Sequence, residues 1–386
     1  MRQQESGSGS RFEQAGAGSR TVLIAAISGR ALAASARRGG YVPLVADFFG
    51  DVDTLADAGR HIRLASGLAH GIDGDELMAA LRALAEGREP VGVVCGTGFE
   101  DRPRLLSRIA HDWPLLGNGE EVTRQVKDPE TFAAVCDACG IPHAAHALAA
   151  PRDPEGWLAK RRGGSGGSHV TPAAGRSADA AVYFQERVPG TPVSALFLAD
   201  GRRAVVLGFS AQWSAPAPQK PFRYGGAVRP ASLSPRLAQG LAKAVATFVA
   251  AVPLVGLNSA DFLVDGDEFR LMEINPRPGA TLDIFEPPGG SLFALHLAAC
   301  HGELPAGLPR IEGAAAAAIA YAGRDIASLA ALPWPAWTAD RPQAGIAVTA
   351  GDPLCTVLAH AATAAEATTL LAQRLETVLA WTHPSR

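Results

Sequence analysis

The chain has 386 residues, 47% of them hydrophobic, and 35 basic residues against 38 acidic ones leave a formal charge of −3. That length supports two or three packed units. The balanced, well-mixed charge excludes a basic stripe for nucleic acid and leaves small molecules as the expected partners.

Residues 1–20 are rich in Gly, Ser and Gln and lack an apolar segment, so they read as a disordered tail and not a signal peptide. Five cysteines without a framework of spacings fit a reducing compartment, and together these features predict a cytoplasmic protein. A strand at 22–27, the turn Ser28-Gly29-Arg30, a helix at 31–38, a strand at 41–46 followed by Asp47, a helix at 71–86 and a strand at 91–95 alternate as in a parallel α/β layer. This N-terminal domain is set at 21–117. Gly29 and Gly96-Thr97-Gly98 follow strands, but neither completes G-x-G-x-x-G, so they read as tight turns lining a substrate cleft.

The pattern changes after this layer, and an α+β domain of two subdomains is expected over 118–303. A helix at 130–139 contains Cys136 and Cys139, which have no second pair to complete a zinc site and read as packing residues. Segments at 156–161, 181–188, 193–198 and 203–209 read as mostly antiparallel strands. In the helix at 234–252, Leu237, Leu241, Val245, Phe248 and Val252 recur at steps of three and four, an apolar stripe that should cover one face of the sheet. Strands at 261–264 and 269–274 flank Asp265-Gly266-Asp267-Glu268 as a hairpin. A helix at 292–300 and an α+β appendage over 304–386 complete the chain. The appendage holds the Ala-rich run 314–322, too short to span a bilayer, and a helix at 363–381.

The hairpin carries the strongest chemical signal. Asp261 lies on one strand and Glu273 and Asn275 on the next, and two carboxylates with one amide suit a magnesium ion whose shell is completed by nucleotide phosphates. A three-residue loop over 266–268 would set Asp261 opposite Glu273. A two-residue loop would oppose it to Met272 unless a bulge intervenes. Glu273 stands between Met272 and Ile274 in an apolar strand, where an unpaired carboxylate is costly, so a bound cation accounts for it better than a plain surface hairpin does.

Asp261-Phe262 followed by Met272-Glu273-Ile274-Asn275-Pro276-Arg277 resembles the ATP-grasp superfamily. That resemblance implies ATP and two Mg2+ ions, with Mn2+ as a substitute, held by Asp261, Glu273 and Asn275. It implies that Arg277 stabilises the transferred phosphate and that 21–117 is the domain preceding the ATP-grasp domain. It makes Lys127 and Lys160 nucleotide contacts, Lys160 also catalytic, and Gly163, Gly164, Ser165, Gly166 and Gly167 a mobile loop over the phosphates. No Lys-Ser/Thr pair follows these glycines, which excludes a Walker A site.

Gln185, Glu186, Arg187 and Val188 correspond to the hinge strand beside adenine, with Glu186 on its amino edge. Thr191, Pro192, Val193 and Ser194 stand where many relatives place a ribose-binding acid. Phe222-Arg223-Tyr224-Gly225-Gly226 resembles a loop bordering the acceptor cleft.

The implied activity is a carboxylate–amine ligase acting through an acyl phosphate, with small-molecule carboxylate and amine substrates, no nucleic acid or membrane partner, and a homodimer as the assembly. The chain looks most similar to carboligases related to biotin carboxylase and to tyramine–glutamate ligases of one-carbon cofactor biosynthesis. The finer likeness rests on Ser28-Gly29-Arg30, Asp47-Phe48-Phe49-Gly50-Asp51, Val193-Ser194, Asp340-Arg341-Pro342 and Cys355-Thr356. It suggests an amino acid such as glutamate as substrate. A phosphotransferase or a non-catalytic nucleotide-binding regulator are the alternatives.

Overall fold

A computed structural model describes residues 20–381, so the predicted tail lies outside the described residues apart from Arg20. The first layer runs β1 (Arg20–Ala25), α1 (Arg30–Arg38), β2 (Tyr41–Asp47), α2 (Val52–Asp57), β3 (Arg60–Arg63), α3 (Gly67–His70), α4 (Gly74–Ala85), β4 (Val93–Cys95) and α5 (Arg104–Asp112). Its strands pair in parallel in the order β3-β2-β1-β4. The chain therefore winds to one side of β1 through β2 and β3 and returns to its other side with β4. That reversal makes the carboxyl ends of β1 and β4 a switch point, where a crevice opens beyond the strands.

The helix expected at 71–86 starts three residues later, as α4, after a break that separates it from α3. Gly71 takes φ +69, and Asp73 restarts the chain as the N-cap of α4 by accepting from the amides of Asp75 and Glu76. A short apolar-polar stretch with one glycine does not announce such a break.

Two helices follow, α6 (Glu120–Lys127) and α7 (Pro129–Cys139), then a small antiparallel sheet of β5 (His146–Ala147), β6 (Trp157–Arg161), β7 (Val170–Pro172) and β8 (Val182–Glu186), ordered β5-β8-β6-β7. The larger sheet is built from β9 (Thr191–Asp200), β10 (Ala204–Ser214), β11 (Tyr224–Arg229), α8 (Pro235–Ala251), β12 (Val255–Asp265), β13 (Glu268–Asn275), α9 (Leu282–Phe285), α10 (Leu292–Cys300), β14 (Ala314–Tyr321), β15 (Thr338–Ala339), β16 (Pro353–Ala361) and α11 (Ala364–Trp381). Eight of these strands form one sheet, β13-β12-β9-β10-β11-β14-β16-β15. The strands of the last segment thus extend the same sheet that carries the hairpin.

The stripe on α8 is buried as its spacing predicts: Leu237, Leu241, Val245, Phe248 and Val252 pack under the sheet with Phe197, Phe262 and Leu271. Each such side chain contributes about 1.5–3 kcal/mol on burial. Ser234 caps the helix, its hydroxyl accepting from the Leu237 amide at 3.1 Å. On the opposite face, Phe285, Phe293 and Leu297 fill the space between the sheet and Leu32 of α1. This second core holds the first layer against the hairpin-bearing sheet. Cys136 is buried with Phe132 and Phe248 in the first core. Among the described residues no helix is long and apolar enough to cross a membrane.

Candidate active site

Asp265 pairs with Glu268, so the hairpin turn has two residues, and the register shifts between Asp261 and Phe262 so that Asp261 faces Glu273. The two-residue turn with a bulge is therefore the register adopted. Gly266, at φ +59, supplies the positive φ that such a tight turn needs. Met272 is the residue left over at the bulge. Without it, the strand alternation would turn Glu273 away from Asp261.

The residues converge through hydrogen bonds. The Ser194 hydroxyl donates to Asp261 Oδ1 at 2.6 Å and the Asn275 amide nitrogen donates to Asp261 Oδ2 at 2.9 Å. Lys127, at the end of α6, donates from Nζ to Asn275 Oδ1 at 2.9 Å and to Glu273 Oε1. Desolvation, then the Glu273 carboxylate, push the Asp261 carboxyl up from its ordinary range. Desolvation works the same way on Glu273, but Lys127 and Lys160 outweigh it and hold that carboxyl at about 2. The cluster is thus built around charge that a cation must balance. Its oxygen donors fit a hard divalent ion, and in the protein alone the Lys127 ammonium stands against two of them. Among the described residues no three His, Cys, Asp or Glu side chains gather to hold a metal unaided. Two carboxylates and an amide would need phosphate oxygens to complete an octahedral shell.

Beside the hairpin lies a cleft lined by Lys127, Phe132, His143, Lys160, Gly163, Gly164, His169, Tyr183, Gln185 and Glu273. Lys160, 8% exposed, donates to Gln185 Oε1 at 3.1 Å. Burial works against its charge, but Tyr183, Glu273 and Asp261 more than offset it and raise its pKa. Of the predicted hinge residues, Gln185 faces the cleft, whereas Glu186 is exposed and Glu186, Arg187 and Val188 are not among its lining. The Glu186 and Arg187 amides donate to Ala145 and Gly156 carbonyls.

His169 was not expected at this site. Its ring is pushed down to about 4 by burial, which Lys160 reinforces and Glu273 opposes. Only its place after the glycine loop could have pointed to it.

The glycine loop is wedged between two other parts of the molecule. A Cβ on Gly163 would lie 2.4 Å from the Glu100 carbonyl, one on Gly167 would lie 1.9 Å from the Phe222 carbonyl, and both residues have positive φ. The Tyr224 amide donates to the Gly166 carbonyl at 2.9 Å. Ser165 sits within this closed segment and its carbonyl meets His169 Nδ1 at 3.3 Å. The Phe222–Gly226 region, expected as a loop, enters strand β11 at Tyr224. Arg223 is fixed under it, donating to the carbonyls of Ala215 and Gly351, with its guanidinium 3.5 Å from the Tyr321 ring centroid.

Glu100, another residue not singled out in the sequence, joins the first layer to Arg277. Arg277 Nε donates to Glu100 Oε1 at 2.7 Å, and the amides of Gly98 and Phe99 donate to Glu100 Oε2 at 2.8 and 3.0 Å. Burial opposes its ionisation, yet Arg277 and Lys127 lower its pKa. The backbone donors after β4 are therefore taken by the chain's own carboxylate, as the Gly29 amide after β1 is taken by Asp47 at 2.9 Å. A second cavity of about 360 Å³, lined by Gly96, Glu100, Asn118, Arg277 and His296, lies against this ion pair.

Residues 130–281 match the family model described as an ATP-grasp domain. No curated protein matches the sequence. Among solved structures, the biotin carboxylase domain dimer of Hydrogenobacter thermophilus 2-oxoglutarate carboxylase, solved with MgADP, ADP and bicarbonate, is similar at TM-score 0.71 and 12% identity over 92% of this chain and 89% of that one. Campylobacter jejuni biotin carboxylase, in a β,γ-ATP complex, is similar at TM-score 0.70 and 16% identity over 92% and 90%. An ADP complex of N5-carboxyaminoimidazole ribonucleotide synthetase is similar at 0.68 and 18% over 94% and 98%. At these identities the likeness concerns the fold.

Proposed function

Because this chain carries an ATP-grasp domain and shares its fold with biotin carboxylases, we propose that it is an ATP- and Mg2+-dependent ligase that joins a substrate carboxylate to an amine. The observation that carries this reading is the convergence of Asp261, Glu273 and Asn275 beside a cleft lined by Glu273, Lys127, Lys160, Gly163 and Gly164. Asp261, Glu273 and Asn275 would hold Mg2+, whose chemistry is to neutralise phosphate charge and align the oxygens of the transfer. A regulatory module would need no fixed guanidinium, whereas Arg277 lines the neighbouring cavity and is locked in orientation by Glu100.

In this scheme a substrate carboxylate oxygen attacks the γ-phosphorus of ATP and ADP departs. The amine nitrogen then attacks the acyl carbon, the C–O bond to phosphate breaks, and the nitrogen loses its proton as the amide forms. Lys127 and Lys160 would exchange their present acceptors for phosphate oxygens. Arg277 would steady the charge on the phosphoryl group in flight. The glycine loop, already seated between Glu100 and Phe222, would keep water from the acyl phosphate. Gln185 is the hinge side chain placed to meet the nucleotide, with the neighbouring Glu186, Arg187 and Val188 outside the cleft.

We assign the carboxylate side to the 21–117 layer, nucleotide binding to 118–303 and no separate chemistry to 304–386. On the sequence resemblance, the proposed substrate is an amino acid such as glutamate in one-carbon cofactor biosynthesis; a homodimer is the proposed assembly, and the cysteine usage and the tail composition support the cytoplasm as the compartment. The test is an ADP-release screen of amino acids paired with amines, with products weighed by mass spectrometry. An amide product with ADP supports the ligase. A phosphorylated product that persists with every amine would make the protein a phosphotransferase, and tight ATP binding without ADP in any mixture would make it a regulator.

A further inference from the structure

The glycine loop rests on two seats that belong to different parts of the chain. Gly163 lies against the Glu100 carbonyl of the first layer, whereas Gly166 and Gly167 lie against 222–224, where β11 begins. At this second seat the Tyr224 amide donates to the Gly166 carbonyl at 2.9 Å. Gly167 approaches the Phe222 carbonyl so nearly that no side chain fits between them. A loop that covers phosphates closes only as far as its seat lets it, so whatever fixes 222–224 also fixes the lid.

The last segment of the chain is what fixes it. β11 pairs with β14 from Gly226 opposite Ala318 to Arg229 opposite Ala315, and a Cβ on Gly226 would run into the Ala317 carbonyl, so the start of β11 sits tight on β14. At the end of β14 the Tyr321 hydroxyl donates to the Tyr224 carbonyl at 2.8 Å. Tyr224 therefore holds the lid with its amide and is itself held through its carbonyl. The neighbouring residue repeats the connection. Arg223 lays its guanidinium on the face of the Tyr321 ring, 3.5 Å from the centroid, a cation–π contact that fixes both planes. The same guanidinium donates to the carbonyls of Ala215, before the seat, and of Gly351, in the last segment, at 3.0 Å each. The ring and the carbonyl of the last segment thus clamp the two residues on which the lid rests.

We propose that Tyr321, with Arg223 stacked on it, is a positioning residue for the lid, and that the last segment in this way sets how closely the glycine loop shuts over the phosphates. The catalytic consequence rests on the ligase reading above. A lid held at its seat keeps water from the acyl phosphate until the amine attacks. Residues 304–386 then contribute position to the reaction and no chemistry.

Tyr321→Phe removes the hydroxyl and keeps the ring under Arg223. Without nucleotide, hydrogen exchange of the Tyr224 amide, which the Gly166 carbonyl protects, should speed up about fivefold, the effect of losing one hydrogen bond. The Ala227 amide, further along β11 between its two partner strands, should keep its protection. Arg223→Lys, which gives up the stacking and a carbonyl bond, should do the same. In the ADP-release assay both variants should bind MgATP within about twofold of the wild type, and the ratio of ADP to amide should rise several-fold. Water then reaches the acyl phosphate and returns the carboxylate with phosphate. A merely structural role would lower ADP and amide together and leave their ratio unchanged. Wild-type exchange at Tyr224 overturns the proposal, as does an equal rise at Ala227 or an unchanged ratio in a variant whose Tyr224 amide has been freed. Should Tyr321→Phe fail to fold, Arg223→Lys decides by the same readings. If no substrate mixture yields ADP with the wild type, the ligase reading falls alone, because exchange at Tyr224 still decides whether Tyr321 holds the lid.

Discussion

Two buried cations stand between acceptor pairs in this molecule, and they are of different kinds. Lys127 bridges Glu273 and Asn275 at the hairpin, while Arg30 bridges Asp283 and Asp340 at the end of β1. An ammonium is a compact point charge on a flexible stem, easily exchanged for another cation, whereas a guanidinium fork is fixed by its planar geometry. The first arrangement suits a place where a cation comes and goes. The second suits a scaffold that must hold a carboxylate still.

The largest effect should come from removing the charge that the exchangeable site is built on. Glu273→Gln should lower magnesium-dependent ADP formation by about 100-fold or more with the fold retained. Circular dichroism and steady-state assays check this, and wild-type turnover would sink the metal assignment. Exchanging the cations comes next. Lys127→Arg should lock a fork across Glu273 and Asn275 and weaken MgATP binding by about tenfold, measured by calorimetry. Arg30→Lys should leave MgATP binding intact and destabilise the protein by about 1–3 kcal/mol, measured in urea, because two carboxylates lose part of their pairing. If both variants lost nucleotide affinity alike, the distinction between the two sites would fall.

A smaller effect should separate the lid from the site it covers. Gly163→Ala places a methyl against the Glu100 carbonyl at a positive φ, so the loop must shift. Turnover should fall about tenfold while ATP affinity changes less than threefold. Equal losses would argue against a lid.

The Glu273 end was far more legible in the sequence than the Arg30 end. Asp261, Glu273 and Asn275 lie on two adjoining strands, so strand alternation and a turn signal suffice to bring them together. Even there the bulge at Met272 could not be read, since turn length depends on φ at Gly266. Arg30, Asp283 and Asp340 were each visible as residues, the first and last within segments noted for their resemblance. Nothing local says that they meet, because their approach depends on packing α1 against α9 and α10 and on returning β16 to the sheet. Glu100 went unnoticed for the same reason. Its partner Arg277 is contributed by another layer, and its hold on the Gly98 amide exists only once the turn after β4 has formed.

The last test distinguishes the two ends by the sign of their response to pH. At the Glu273 end, burial lowers the His169 ring to about 4 from an ordinary value of 6.5. Between those values the unfolded chain binds more protons, so stability from this group is present above pH 6.5 and lost as pH falls toward 4. At the Arg30 end, burial and Asp340 raise the Asp51 carboxyl to about 7 from 3.8. There the folded chain binds more protons, so its contribution is present below 3.8 and lost as pH rises through 7. His169→Gln should therefore flatten the loss of stability on acidification from pH 6.5 to 5. Asp51→Asn should stabilise the protein at pH 8 by on the order of 1 kcal/mol, a gain that shrinks toward pH 4. Urea melts across this range read both slopes, and the same sign in the two variants would show that the two ends do not differ in the way their charges are held.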